Sequence, residues 1–176
     1  IVVFQLVVAL AAAYGFARFE GGIRAIIFFA YIILMLMPYQ VTLVPNYLVS
    51  DWLKLIDTRW AIWLPGIFSP FAVYLLTKYM RRIPIGVIEA AEIDGAGELQ
   101  IFTSISIPLC KSALISAAIL VFIDYWNMVE QADIYLRKES LKPLSSLLAI
   151  GEGLTTPEVL AGSVIFMIPI VILYLY

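Results

Sequence analysis

The sequence has no histidine and a single cysteine, Cys110, among its 176 residues. A zinc site, a disulfide framework and any histidine-dependent nucleophile triad are thereby excluded. Charge is also scarce, at 14% of residues, where soluble domains carry about 25%. The 11 basic and 13 acidic residues give a formal net charge of −2, so there is no basic footprint for nucleic acid. No Gly-x-x-x-x-Gly-Lys-Ser/Thr loop is present to cradle phosphates. The chain offers no catalytic, cofactor-binding or metal-binding residues, and an enzyme is not expected. What it has in excess is apolar surface: 63% of residues are hydrophobic, and the mean hydropathy is +0.99. So little charge cannot cover a water-facing surface, and most of this surface must face lipid.

Crossing about 30 Å of hydrocarbon takes roughly 20 largely apolar residues in a helix. Five stretches qualify: 1–17, 25–50, 60–77, 112–127 and 159–176. The first ends in a polar connection containing Arg18, Glu20, Gly21, Gly22 and Arg24. The second contains Pro38 and Pro45, so regular helix is expected to about Leu36, followed by a kink. The third carries Trp60 and Trp63 at one end and Tyr79 with Lys78, Arg81 and Arg82 at the other. The fourth holds one acid, Asp124, and the fifth holds Pro169 and no charge. The predicted fold is an all-α polytopic transmembrane bundle with five visible spans in one domain, 1–176. Because the chain opens at Ile1 within an apolar run, a preceding helix and a short C-terminal tail are expected in the parent protein.

Alternating spans place Arg18, Arg24, Lys78, Arg81, Arg82 and Lys111 on one side, and Lys54, Arg59, Arg137, Lys138 and Lys142 on the other. Six against five is a slight bias, although the group at 78–82 favours the first side as cytoplasmic. Between the third and fourth spans, 80–109 is too polar to cross. Pro84 suits a first helical turn, 89–94 is rich in helix formers, Gly95 and Gly97 interrupt, and 98–106 forms a second short helix before Pro108. Ala90 and Ala91 give a low profile for close approach, and Glu89, Glu92, Asp94 and Glu98 offer charge to basic partners. Helix physics alone leaves two readings open, a docking surface and a solvated interfacial hairpin.

The run Glu89-Ala90-Ala91, with Ile93-Asp94-Gly95-Ala96 and then Ile107-Pro108, resembles the EAA loop of ABC importer permeases, in particular the maltose-type carbohydrate-uptake branch. The segment 12–19, Ala-Ala-Tyr-Gly-Phe-Ala-Arg-Phe, is similar to that family's motif at the end of an early span. Pro38, Gln40, Val41 and Pro45 resemble its Pro-x-Gln-Val…Pro stretch, Trp126 and Asn127 its Trp-Asn pair, and 160–169 its last span. Gly97 stands where serine is common, Ser112 where proline is common, and 128–131 depart from the family's aromatic-rich stretch.

The resemblance implies a permease subunit of an ATP-driven sugar importer in a prokaryotic plasma membrane, working by alternating access. It implies that 80–109 is a cytoplasmic coupling loop, with Glu89, Ala90, Ala91, Ile93, Asp94, Gly95 and Pro108 at an ATPase subunit. Trp126 and Asn127 become candidates for the translocation pathway. Implied partners are a second permease subunit, a cytosolic ATPase dimer that uses ATP and Mg, and an extracytoplasmic substrate-binding protein. Two alternatives come from the residues themselves: a secondary carrier coupled to a cation or proton through Asp124, and a noncatalytic membrane assembly subunit.

Overall fold

A computed structural model describes residues 1–19, 21–151 and 155–175. Glu20 of the first polar connection and Tyr176 of the last expected span lie outside the described residues, as do 152–154. The described residues form helices and connections with no strand. In hydrocarbon a helix satisfies its own backbone donors and acceptors, which favours it for runs this apolar. The helices are α1 (Val2–Arg18), α2 (Gly22–Leu36), α3 (Tyr39–Trp52), α4 (Trp60–Ile67), α5 (Pro70–Met80), α6 (Ile85–Ile93), α7 (Glu98–Leu109), α8 (Lys111–Trp126), α9 (Glu130–Tyr135), α10 (Leu144–Ile150) and α11 (Thr156–Leu175).

Proline accounts for most of the punctuation. α2 stops at Leu36 ahead of Pro38, as expected, and α3 carries Pro45 within it. The third span, Trp60–Met80, breaks between α4 and α5, where Pro70 takes the first helical position and so loses no intrahelical donor. Trp60–Met80 and Thr156–Leu175 are each long and apolar enough to cross a bilayer. The fourth span differs from expectation. α8 has 16 residues, about 24 Å of rise, and reaches spanning length only together with α7, from which it bends by 74°.

The chain divides into two compact units, Ile1–Pro38 with Ile67–Ala118, and Tyr39–Gly66 with Ile119–Tyr176. In the first, α1 and α2 pack on α5. Ala9, Ala13 and Ala72 are almost fully buried, and their small side chains let the helices approach closely, as is usual where lipid provides no hydrophobic drive. Leu76 and Met80 fill the remaining space. Thr77, buried among them, satisfies its hydroxyl by donating to the Val73 carbonyl at 2.6 Å.

In the second unit, Tyr135 and Leu136 form a buried centre, with the Tyr135 hydroxyl donating to the Leu43 carbonyl. Asp57 sits in the left-handed region, φ 63°, and accepts the backbone N–H groups of Arg137 and Lys138 at 3.0 and 2.9 Å. These bonds and Lys138 Nζ hold its carboxyl below the usual range. Asp133 likewise gathers Lys142 Nζ and the Ser146 hydroxyl, which closes α9 onto α10. Gly162 of α11 meets α10 so closely that a Cβ there would lie 2.9 Å from Leu148 Cδ2. Gly162→Ala is therefore expected to be mild, because a leucine tip can move. Gly162→Phe should cost about 1–3 kcal/mol through overpacking, read as a lower unfolding midpoint of the full protein in detergent.

Candidate functional site

The loop between the third and fourth spans is built as a helical elbow. Pro84 lies immediately before α6, not in its first turn, with φ −59°. α6 ends in a Schellman pattern: the Ala96 N–H donates to the Ala91 carbonyl at 2.9 Å and the Gly95 N–H to the Glu92 carbonyl at 3.0 Å. That closure needs a left-handed residue, and Gly95 provides it at φ +82°. Nothing crowds a Cβ at Gly95, so conformation and not space selects glycine. Gly97, expected to share the interruption, is extended at φ −77° and serves as the N-cap of α7.

α7 does not stop before Pro108. Its turns Phe102–Ser106 are wound as π-helix, with the Ile107 N–H donating to the Phe102 carbonyl, and helix continues to Leu109. A wider turn tolerates a residue without a donor whose ring would clash with an ordinary preceding turn. Pro108 thus marks a local change of winding, and the chain breaks at Cys110 instead.

The end of α1 meets this elbow. Arg18 forks onto Glu98, with Nη2 at 3.1 Å and Nε at 3.4 Å from its two carboxylate oxygens, and Nη2 also pairs with Glu92. Tyr14, one turn earlier on the same face of α1, donates its hydroxyl to Glu98 and packs its ring on Phe102 at 4.9 Å. The Tyr14 hydrogen bond, followed by Arg18, holds the Glu98 carboxyl below the usual carboxylate range. Two of the four acids expected to serve outside partners are therefore engaged within the chain. Glu89 and Asp94 are exposed and form no ion pair among the described residues. Sequence reasoning missed Arg18 and Tyr14 as site residues; their i, i+4 spacing at a helix end beside an acid-rich loop is the signal that could have found them.

α6 buries only Ile88. Ile93 is 86% exposed and Leu99 on α7 75%, with Ile85, Val87 and Ala90 exposed nearby. Ile93 and Leu99, the most exposed of these, flank the glycine elbow on an otherwise polar loop. Among the residues expected to dock, Glu89, Ala90, Ile93, Asp94 and Gly95 lie on this exposed elbow and Ala91 is half-buried, while Pro108 lies at the far end of α7.

The second candidate group lies in the other unit. The Trp126 ring stacks between Phe122 and Phe166 at 5.2 and 5.5 Å, and its indole N–H donates to the Phe166 carbonyl at 3.1 Å. Its polar edge is thus occupied by packing. Asn127 is exposed; its amide donates to the Ile123 carbonyl at 2.8 Å, closing the end of α8. It lines a cavity of about 620 Å³ with Tyr39, Asp124, Glu130 and Gln131. Among the described residues, no three His, Cys, Asp or Glu side chains gather in a metal-holding group.

Residues 5–176 match the family described as binding-protein-dependent transport system inner membrane component. The arabinooligosaccharides transport system permease protein of Halalkalibacterium halodurans is 32% identical over 100% of this chain and 64% of its own length. The osmoprotective compounds uptake permease protein of Synechocystis is 36% identical over 76% of this chain and 46% of its own length. The chain thus spans less than two thirds of these relatives. A bacterial ABC transporter involved in import of the acidic polysaccharide alginate contains a chain with a TM-score of 0.82 and 26% identity, matching 98% of this chain and 67% of that one.

Gly95→Ala should lower stability by about 1–2 kcal/mol, whereas Gly97→Ser should be neutral or slightly stabilising as a better N-cap, both read from unfolding midpoints of the full protein. The Glu98 pKa is depressed on folding, so its contribution is present above the unfolded value and is lost as pH falls through the folded one. The midpoint difference between wild type and Glu98→Gln should hold steady near neutrality and shrink below about pH 4.3.

Proposed function

The chain belongs to the family of binding-protein-dependent transport system inner membrane components, and on that premise we propose that it forms the core of one permease subunit of an ATP-driven importer. Residues 1–176 constitute one multi-pass permease domain in a prokaryotic plasma membrane, with 80–109 on the cytoplasmic side. The observation that carries the proposal is the exposure of Ile93 and Leu99 on either side of a left-handed glycine elbow in an otherwise polar loop. A groove in a cytosolic ATPase subunit is the fitting occupant: Ala90 and Ala91 permit close approach, Ile93 and Leu99 supply apolar anchors, and Glu89 and Asp94 offer charge at the rim.

In the mechanism, closure of two ATPase subunits around ATP and Mg displaces the elbow. The displacement passes along the chain into α5 and α8, and the central pathway changes the side to which it opens. This chain provides the lever, and phosphate chemistry belongs to the partner. Work is extracted only if the partners make different contacts in the two states, since equal binding shifts nothing. A second permease subunit completes the pathway, and an extracytoplasmic binding protein delivers the solute.

The solute is proposed to be hydroxyl-rich, a sugar or sugar-derived osmolyte. The arabinooligosaccharides and the polysaccharide alginate named for two of the similar proteins above share that chemistry. Asn127, with Asp124, Glu130 and Gln131 beside it, gives the cavity polar groups suited to hydroxyl recognition, whereas the Trp126 indole N–H is taken by Phe166.

The test uses the complete parent protein expressed with its partners. A single-cysteine Ala91→Cys variant, in a Cys110→Ala background, should be labelled from the cytosolic side and crosslink to a copurifying ATPase. Ile93→Glu should lower the copurified ATPase by about ten-fold, as loss of a buried interface anchor does. Labelling of Ala91→Cys only from outside the cell would overturn the assignment. Thermal shift of the copurifying binding protein tests the solute: a response to oligosaccharides or polyols supports the class, and a response to amino acids alone overturns it.

A further inference from the structure

Through the chain, the loop is joined to α5 at Met80 and to α8 at Cys110. α1 meets it through side chains. Tyr14 and Arg18 bind Glu92 and Glu98, and the Tyr14 ring packs on Phe102. We propose that Arg18 is the positioning residue that ties both limbs of the elbow to α1, so that displacement of the loop moves the first span and is not absorbed as hinge motion at Gly95. The inference rests on the proposed role of the loop as the ATPase-docking element.

The two carboxylates stand on opposite sides of the hinge. Glu92 is in the last turn of α6 and Glu98 in the first turn of α7, and between them lie left-handed Gly95 and extended Gly97. Left alone, such a segment is free to flex. One guanidinium bonded to a carboxylate on each limb sets the angle between them. A planar fork can do this where a lysine ammonium, a point charge on a flexible stem, cannot. The Tyr14 hydroxyl gives Glu98 a second attachment to α1, which opposes swivelling about the Arg18 contact.

The neighbouring cation does not compete for these acids. Arg81 donates to the Phe16 carbonyl at 3.0 Å and lies over the Phe28 ring. The tie is also partly wet: the Arg18 side chain is 20% exposed, and those of Glu92 and Glu98 are 44% and 46% exposed. Its strength is therefore modest, and its consequence is the shared geometry of three helices.

The test uses the full transporter in nanodiscs, in a Cys110→Ala background, with Mg-ATP and vanadate as the probe. A spin label is placed on exposed Val7 of α1 or, separately, on exposed Ile115 of α8. In wild type both labels should respond to the probe. In Arg18→Gln, the Val7 response should fall by about five-fold or more while the Ile115 response stays within about two-fold, as for loss of a coupling contact. Arg18→Lys, which keeps charge but loses the fork, should be intermediate, and the swap Arg18→Glu with Glu98→Arg should restore part of the Val7 response.

Tyr14→Phe leaves every charge in place and should give a smaller loss, which keeps the proposal testable if Arg18→Gln misassembles. A Val7 response unchanged in both Arg18→Gln and Tyr14→Phe overturns the inference and leaves the docking role intact. Absence of any response at Ile115 in wild type overturns the docking role itself.

Discussion

One guanidinium organises the polar end of the first compact unit. Arg18 closes the last turn of an apolar helix and meets two acids that belong to a loop more than seventy residues away in the chain. An exposed ion pair is typically worth about 0–1 kcal/mol, so this contact does little to keep the chain folded. Its effect is geometric. It gives α6 and α7 a common reference on α1, and it determines which carboxylates remain on the elbow for something outside the chain.

The apolar interior imposes the complementary constraint. Small residues bring α1 and α5 together, and Thr77 answers its own helix because no water is available to do so. With charge so scarce, the few charged groups collect where helices leave the apolar layer. Arg18, Arg24 and Arg81 line one cavity in the first unit, and Asp57, Lys138, Asp133 and Lys142 form the clasps of the second. Within each unit the ionic contacts join residues that the alternating-span reading assigns to one side.

The elbow shows how local rules and function converge. The Schellman closure requires a left-handed residue, and Gly95 meets that need without strain. On either side of that closure, Ile93 and Leu99 stay exposed. Apolar side chains left exposed beside such an elbow are what a docked partner would cover, and the proposed docking role rests on that.

The sequence by itself determined the membrane class, the placing of the apolar stretches, the stop at Leu36 and the helix–glycine–helix character of 80–109, but not how many helices reach spanning length, which is two among the described residues, or up to four if each bent pair is one span. These follow from charge gaps, proline and glycine, whose effects act within a few residues. It also carried the family resemblance across nearly the whole chain. Tertiary structure alone decided that Glu92 and Glu98 are engaged by Arg18 of α1, that the Trp126 indole N–H is taken by Phe166, and that π-winding carries α7 through Pro108. The reason is the same in the first two cases. Whether a polar side chain is available to a partner depends on what stands within about 3 Å of it, and residues far apart in the chain provide that. The winding of α7 likewise depends on a register spread over several turns, which no single residue type announces.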